Sequence, residues 1–131
     1  MQSVAVIDYG SSNLRSVVKA LEHVAHGKFK IVVTDKDDVI LASDRIIFPG
    51  QGAIKQCMDS LRKKNLDQIL LEALKSKPYL GLCLGLQALM GYSEEDGGTN
   101  CLGIIPGKVM RFATGQKDNN DNNFKIPHMG W

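Results

Sequence analysis

A chain of 131 residues, 44% hydrophobic and 23% charged, has the length of one domain and the balance of a folded protein with a real core, which excludes a disordered chain. Sixteen basic residues against fourteen acidic ones leave a formal charge of +2, spread along the chain, so nothing points to a nucleic-acid surface. No uninterrupted apolar run of about 18 residues occurs, which excludes a spanning helix.

In chain order, Val4 to Ile7 is a short continuous apolar run, the pattern of a central strand covered on both faces. Asp8-Tyr9-Gly10-Ser11-Ser12-Asn13 supplies turn and cap residues, and Leu14, Val17, Val18, Leu21, Val24 and Ala25 recur at helical spacing. His23 and His26 fall where a helix ends, where positive charge is favourable, and are read as capping or solvent-facing groups rather than as a catalytic base. Gly27 stops the helix, and Phe29 to Val33 predicts a second strand. Asp35, Asp37 and Asp38 suit the start of a short helix, and no metal is needed to explain them. Ile46-Ile47-Phe48 predicts a third strand. Ala53, Ile54, Cys57, Met58 and Leu61 follow at helical spacing, as do Leu66, Ile69, Leu70 and Leu74. Strands alternating with helices predict an α/β fold with a mainly parallel sheet.

The chemistry concentrates in Gly81-Leu82-Cys83-Leu84-Gly85-Leu86-Gln87, after the short apolar strand Tyr79-Leu80. A thiol with a glycine two residues away on each side is the pattern of a nucleophile elbow, where the chain turns so sharply from strand to helix that a neighbouring Cβ would collide with backbone. A helix with apolar spacing at Leu86, Leu89 and Met90 is expected to follow. The start of a helix favours thiolate over thiol. Gln87, four residues on, would share the sulfur's face of that helix and hold a substrate. Pro49-Gly50-Gln51-Gly52 is the second loaded segment. Two glycines after a strand let backbone N–H groups point above the sheet, as an oxyanion hole requires. In elbow architectures the other donor is the residue after the nucleophile, here Leu84. Both loops should meet at the carboxyl edge of one parallel sheet.

Beyond the elbow, residues 92–98 form a polar acidic stretch, read as a solvated loop or as a carboxylate site for a substrate ammonium. Residues 102–109 and Arg111-Phe112 predict short strands divided by a Pro106-Gly107 turn, and 116–123 an asparagine-rich loop. Cys57, Cys83 and Cys101 are odd in number, without metal-ligand spacing, which suits a reducing compartment; with no signal-peptide pattern at the N-terminus, the expected location is cytoplasmic.

The Cys83 elbow resembles the nucleophile motif of the class I glutamine amidotransferases. Residues 7–10 with 13–16, Pro49-Gly50-Gln51-Gly52, residues 103–107 and Pro127-His128-Met129-Gly130-Trp131 are together similar to the glutaminase subunits of imidazole glycerol phosphate synthases, along the whole chain. The resemblance implies a flavodoxin-like sheet and hydrolysis of glutamine to glutamate and ammonia without a cofactor. It implies Cys83 as nucleophile, the Gly50, Gln51 and Leu84 amides as oxyanion donors, and Gly52, Gln87 and Glu95 as glutamine-binding residues. It also implies a (β/α)8 cyclase subunit as the acceptor of ammonia in histidine biosynthesis, met through Asn13 and the residues Pro127, His128, Met129, Gly130 and Trp131. Gln51 departs from the small apolar residue expected there. The family's general-base histidine and the glutamate that orients it follow the Pro-His-Met-Gly-Trp block and are not among these residues. The chain is therefore expected to be a single amidotransferase domain, incomplete at its C-terminus, weak in activity and prone to self-association. A related domain serving another acceptor, or a non-catalytic partner-binding fragment, are the other readings.

Overall fold

A computed structural model describes residues 1–10 and 13–127. Four strands, β1 (Gln2–Ile7), β2 (Phe29–Thr34), β3 (Arg45–Phe48) and β4 (Tyr79–Gly81), form an all-parallel sheet in the order β2-β1-β3-β4. β1 pairs on both sides, Val6 standing opposite Val33 on one and Ile47 on the other, so its apolar run is the central strand that the sequence predicts.

Alternation along the strands divides the core. Ile7, Ile46 and Phe48 face helices α3 (Ile54–Lys63) and α4 (Leu66–Ala73), whose buried Ile54, Met58, Leu61 and Leu70 close that side; Val4, Val6 and Ile47 face the opposite way. That second face is covered by α1 (Leu14–Ala25) through Leu14, Val17, Val18 and Leu21. One helix does not span the sheet. A hollow of about 310 Å³ remains between α1 and β4, with Val4, Leu21, Val24, Ile47 and Leu80 among its lining residues. Val24, read as part of the helix's buried stripe, is 66% exposed beside it.

Other expectations are met or corrected locally. α1 ends at His26, whose left-handed φ of 46° turns the chain, and both helix-terminal histidines are exposed. Asp37 and Asp38 open the short helix α2 (Asp37–Ala42) as expected, but Asp35 precedes it and pairs instead with Lys64 at 3.1 Å. A second, smaller sheet in the order β6-β5-β7 joins β5 (Met90–Ser93), β6 (Thr99–Asn100) and β7 (Ile105–Val109). Tyr92 and Ser93 therefore belong to a strand, Ser93 being fully buried, rather than to a solvated loop. Pro106-Gly107 lies inside β7 and not at a turn between strands: Met90 pairs with Ile105 but Tyr92 with Lys108, so β7 carries one extra residue there and bulges. Arg111 and Phe112 are outside any strand.

Among the described residues β4 pairs with β3 alone, and Leu80 on it is 52% exposed. An open parallel edge beside an apolar hollow is a template for association. Light scattering across rising concentration is expected to give a mass above that of the monomer; a constant monomeric mass would contradict this.

Candidate active site

The carboxyl ends of the parallel strands bring three loops together: the one after β1, residues 49–53 after β3, and the turn after β4. Cys83 is the exposed turn residue between β4 and the short helix α5 (Leu84–Gln87). Its backbone, at φ 55° and ψ −106°, is a conformation that costs a non-glycine residue about 1–3 kcal/mol and persists only where its surroundings enforce it. They do so by hydrogen bonds on both sides. Leu82 N–H donates to the Phe48 carbonyl at 3.0 Å, while Leu86 and Gln87 N–H both donate to the Cys83 carbonyl at 3.0 Å. The half-buried Tyr79 donates its hydroxyl to the Gly85 carbonyl at 2.7 Å.

The glycines are required as the motif implies. A Cβ on Gly81 would lie 2.5 Å from the Gly85 carbonyl group, and one on Gly85 would land on the Phe48 carbonyl. The helix after the elbow is shorter than predicted. It ends at Gln87, Met90 already belongs to β5, and Leu86 is 53% exposed, so the apolar spacing there reflects an incoming strand rather than a helix face.

A cavity of about 110 Å³ is lined by Asn13, Val17, Pro49, Gly50, Gln51 and Leu82, which brings Asn13 and residues 49–51 beside the residue that precedes Cys83. Gln87 is half-buried, and its Oε1 is a buried acceptor with no hydrogen-bond partner among the described residues. Glu95 lies in a single 3₁₀ turn, where its Oε1 accepts the Ile54 N–H at 3.4 Å and so binds the start of α3, two residues past Gly52. The Leu84 N–H donates to the Gly50 carbonyl at 3.4 Å. That amide is thus occupied in this conformation, and the Gly50 carbonyl must turn away before Leu84 can donate to anything else. Of the Pro127 to Trp131 block, Pro127 is exposed and the other four residues lie outside the described ones.

The other thiols differ from Cys83. Cys57 is buried in the core, and burial pushes its thiol up to about 12. Partial burial also raises Cys101. Sequence reasoning passed over Tyr9 and Tyr79, which support the loop and the elbow. For Tyr9 the available signal was a tyrosine two residues past a buried apolar run, since the hydroxyl of a buried tyrosine must find a partner.

A parallel α/β sheet presenting an exposed cysteine from a strained strand-to-helix turn is the architecture of the elbow proteins that use a thiol. Residues 5–130 match the family model described as glutamine amidotransferase class-I, and the chain belongs to that family. It is 53% identical over 131 residues to the imidazole glycerol phosphate synthase subunit HisH of Methylococcus capsulatus, 55% to that of Nitrosococcus oceani and 47% to that of Pseudomonas putida. Each alignment takes in 100% of this chain and 60% of the relative, so the chain spans about three-fifths of their length. A solved structure from Listeria monocytogenes EGD-e, assigned to peptidase E, is similar with a TM-score of 0.64 over 79% of this chain and 63% of that one, at 15% identity, a likeness of fold alone. Among the described residues no helix is long and apolar enough to cross a membrane.

Proposed function

We propose that the chain carries the glutamine-binding and nucleophilic part of an imidazole glycerol phosphate synthase glutaminase, which passes ammonia to a (β/α)8 cyclase subunit. The observation that supports this most is the exposed Cys83 at the elbow, in a chain similar along its whole length to subunits of that name. In this reading the Cys83 thiolate adds to the glutamine carboxamide carbon. The negative charge formed on oxygen is met by backbone N–H groups of the 49–52 loop and of Leu84, once the Gly50 carbonyl has turned away. Collapse of the adduct breaks the C–N bond, the nitrogen leaves as ammonia after gaining a proton, and water cleaves the glutamyl thioester to glutamate. Gln87 Oε1 suits an N–H donor of the substrate, and the Glu95 carboxylate at the loop's far end suits its ammonium. Asn13 beside the loop, and the residues Pro127 to Trp131, are the ones this reading assigns to contact with the cyclase.

The test compares two labels on the unmodified chain. Iodoacetamide at neutral pH is expected to alkylate Cys83 well ahead of Cys57 and Cys101, since a thiol titrating near 12 holds about 10⁻⁵ of its population as thiolate at pH 7. A diazoketone analogue of glutamine should label Cys83 and no other cysteine, with free glutamine protecting it. Labelling centred on Cys57, or an absence of protection, would overturn the assignment and favour a partner-binding fragment.

A further inference from the structure

α5 has four residues, too few to hold a direction by helical hydrogen bonds alone. Its buried Leu84 and the Ala88 that follows hold it against the core, but apolar burial is not directional. Among the described residues, two hydrogen bonds reach α5 from outside its own turn. One is the long 3.4 Å bond from the Leu84 N–H to the Gly50 carbonyl, and the other the 2.7 Å bond from the Tyr79 hydroxyl to the Gly85 carbonyl. The second fills a gap in the helix. In a longer helix the Gly85 carbonyl would accept from the Leu89 N–H, four residues on, but the chain leaves the helix at Gln87 and Leu89 donates to Leu86 instead, at 3.1 Å. Gly85 is buried, so its carbonyl depends on a side-chain donor. The strand places that donor. Tyr79 and Gly81 are alternate residues of β4 and point to one face, where the missing Cβ of Gly81 lets the Gly85 carbonyl come within 2.5 Å of its position. The Tyr79 ring stacks beside the fully buried Phe48 ring, with centroids 6.4 Å apart, which limits where its hydroxyl can lie. Burial pushes the phenol above its ordinary range, so the hydroxyl keeps the proton that it donates.

We propose that Tyr79 is a positioning residue whose hydroxyl pins the Gly85 carbonyl, fixes the rotation of α5 on the sheet and so aims the Cys83 sulfur. Its bearing on catalysis rests on the reading of Cys83 as a glutaminase nucleophile; the pin itself does not. The link to Cys83 is short. The Leu86 and Gln87 amides that hold the Cys83 carbonyl belong to the same turn as Gly85, so a turn that rotates takes them with it. Tyr79→Phe keeps the ring beside Phe48 and removes the pin.

The experiment measures amide hydrogen exchange by NMR on the 131-residue chain and on Tyr79→Phe. Exchange at Leu86 and Gln87 is expected to quicken by about tenfold, the scale of one lost hydrogen bond, while the central-strand amide of Val6 keeps its rate. Unchanged rates at Leu86 and Gln87, or an equal rise at Val6, overturn the pin. If Tyr79→Phe fails to fold, the unmodified chain answers through its hydroxyl proton, read from the Tyr79 Cζ carbon signal in mixed light and heavy water. Slow exchange of that proton supports the pin and fast exchange overturns it. A second measurement separates position from mere stability. The diazoketone analogue needs a sulfur aimed at a bound carbon, whereas iodoacetamide needs only an exposed one. The ratio of analogue to iodoacetamide labelling at Cys83 in the folded protein should therefore fall several-fold in Tyr79→Phe, and an unchanged ratio overturns the positioning role. Faster Leu86 and Gln87 exchange with no analogue labelling in either protein would keep the pin and remove the glutaminase reading.

Discussion

Gly85→Ala is expected to destabilise the chain by more than about 3 kcal/mol, through overpacking against backbone together with loss of buried hydrogen bonds. The new Cβ would fall on the Phe48 carbonyl, 2.9 Å from its carbon and 2.7 Å from the ring's Cδ1. Phe48 cannot retreat, because it is fully buried and its ring packs between Tyr9 and Tyr79 at centroid distances of 5.1 and 6.4 Å. α5 would have to lift instead. That lengthens the Leu82 N–H to Phe48 carbonyl bond and the Tyr79 hydroxyl to Gly85 carbonyl bond, the contacts that hold Cys83 in its strained turn. Urea denaturation checks the stability, and alkylation of Cys83 in the folded fraction checks the turn. Leu86→Ala next to it, at a half-exposed side chain, should cost under about 1 kcal/mol and serves as the control. A Gly85→Ala cost as small as that of the control would mean that the elbow is not packed as described.

The second large effect is on activity. The 131 residues by themselves are expected to release glutamate from glutamine at least about 10³-fold more slowly than a form extended with the remaining part of the Methylococcus capsulatus relative. The reason is proton transfer. His23 and His26 sit at the end of α1, which runs back from the carboxyl edge of the sheet and finishes where β2 begins, at the opposite edge from Cys83. No described histidine is placed to take the thiol proton or return one to the departing nitrogen. Some turnover should persist, because a thiolate is intrinsically nucleophilic and backbone donors act without a base. The assay compares both forms with and without the cyclase subunit. Equal rates would refute the argument and shift attention to His128, whose replacement by alanine would then decide.

Much of the fold was legible because its signals are local. The apolar run at Val4–Ile7, the helical spacing from Leu14 to Leu21 and the turn at Pro49–Gly52 each depend on neighbours within one or two turns of chain, and each is found where the sequence places it. The sequence was misleading where one local pattern suits two structures. Leu86, Leu89 and Met90 fit a helix face by spacing, yet Met90 is taken into β5 by pairing with Ile105. Pro106-Gly107 fits a turn by composition, yet a bulge absorbs both residues because β7 must stay paired with β5.

For the site, the sequence alone determined the residue types and spacing of the elbow, since glycine on each side of a cysteine is a steric requirement written within five residues. Only the tertiary structure decided what occupies the Leu84 amide, that the Tyr9 hydroxyl lies under Gly50, and that Glu95 reaches the start of α3. Those contacts join residues 34, 41 and 41 positions apart, and no periodicity or composition encodes a distance between segments that meet only when the sheet has brought β1, β3 and β4 side by side. The β4 edge, unpaired on one side among the described residues, is likewise a property of strand order, fixed by which strand pairs with β3 and not by the three residues of β4 themselves.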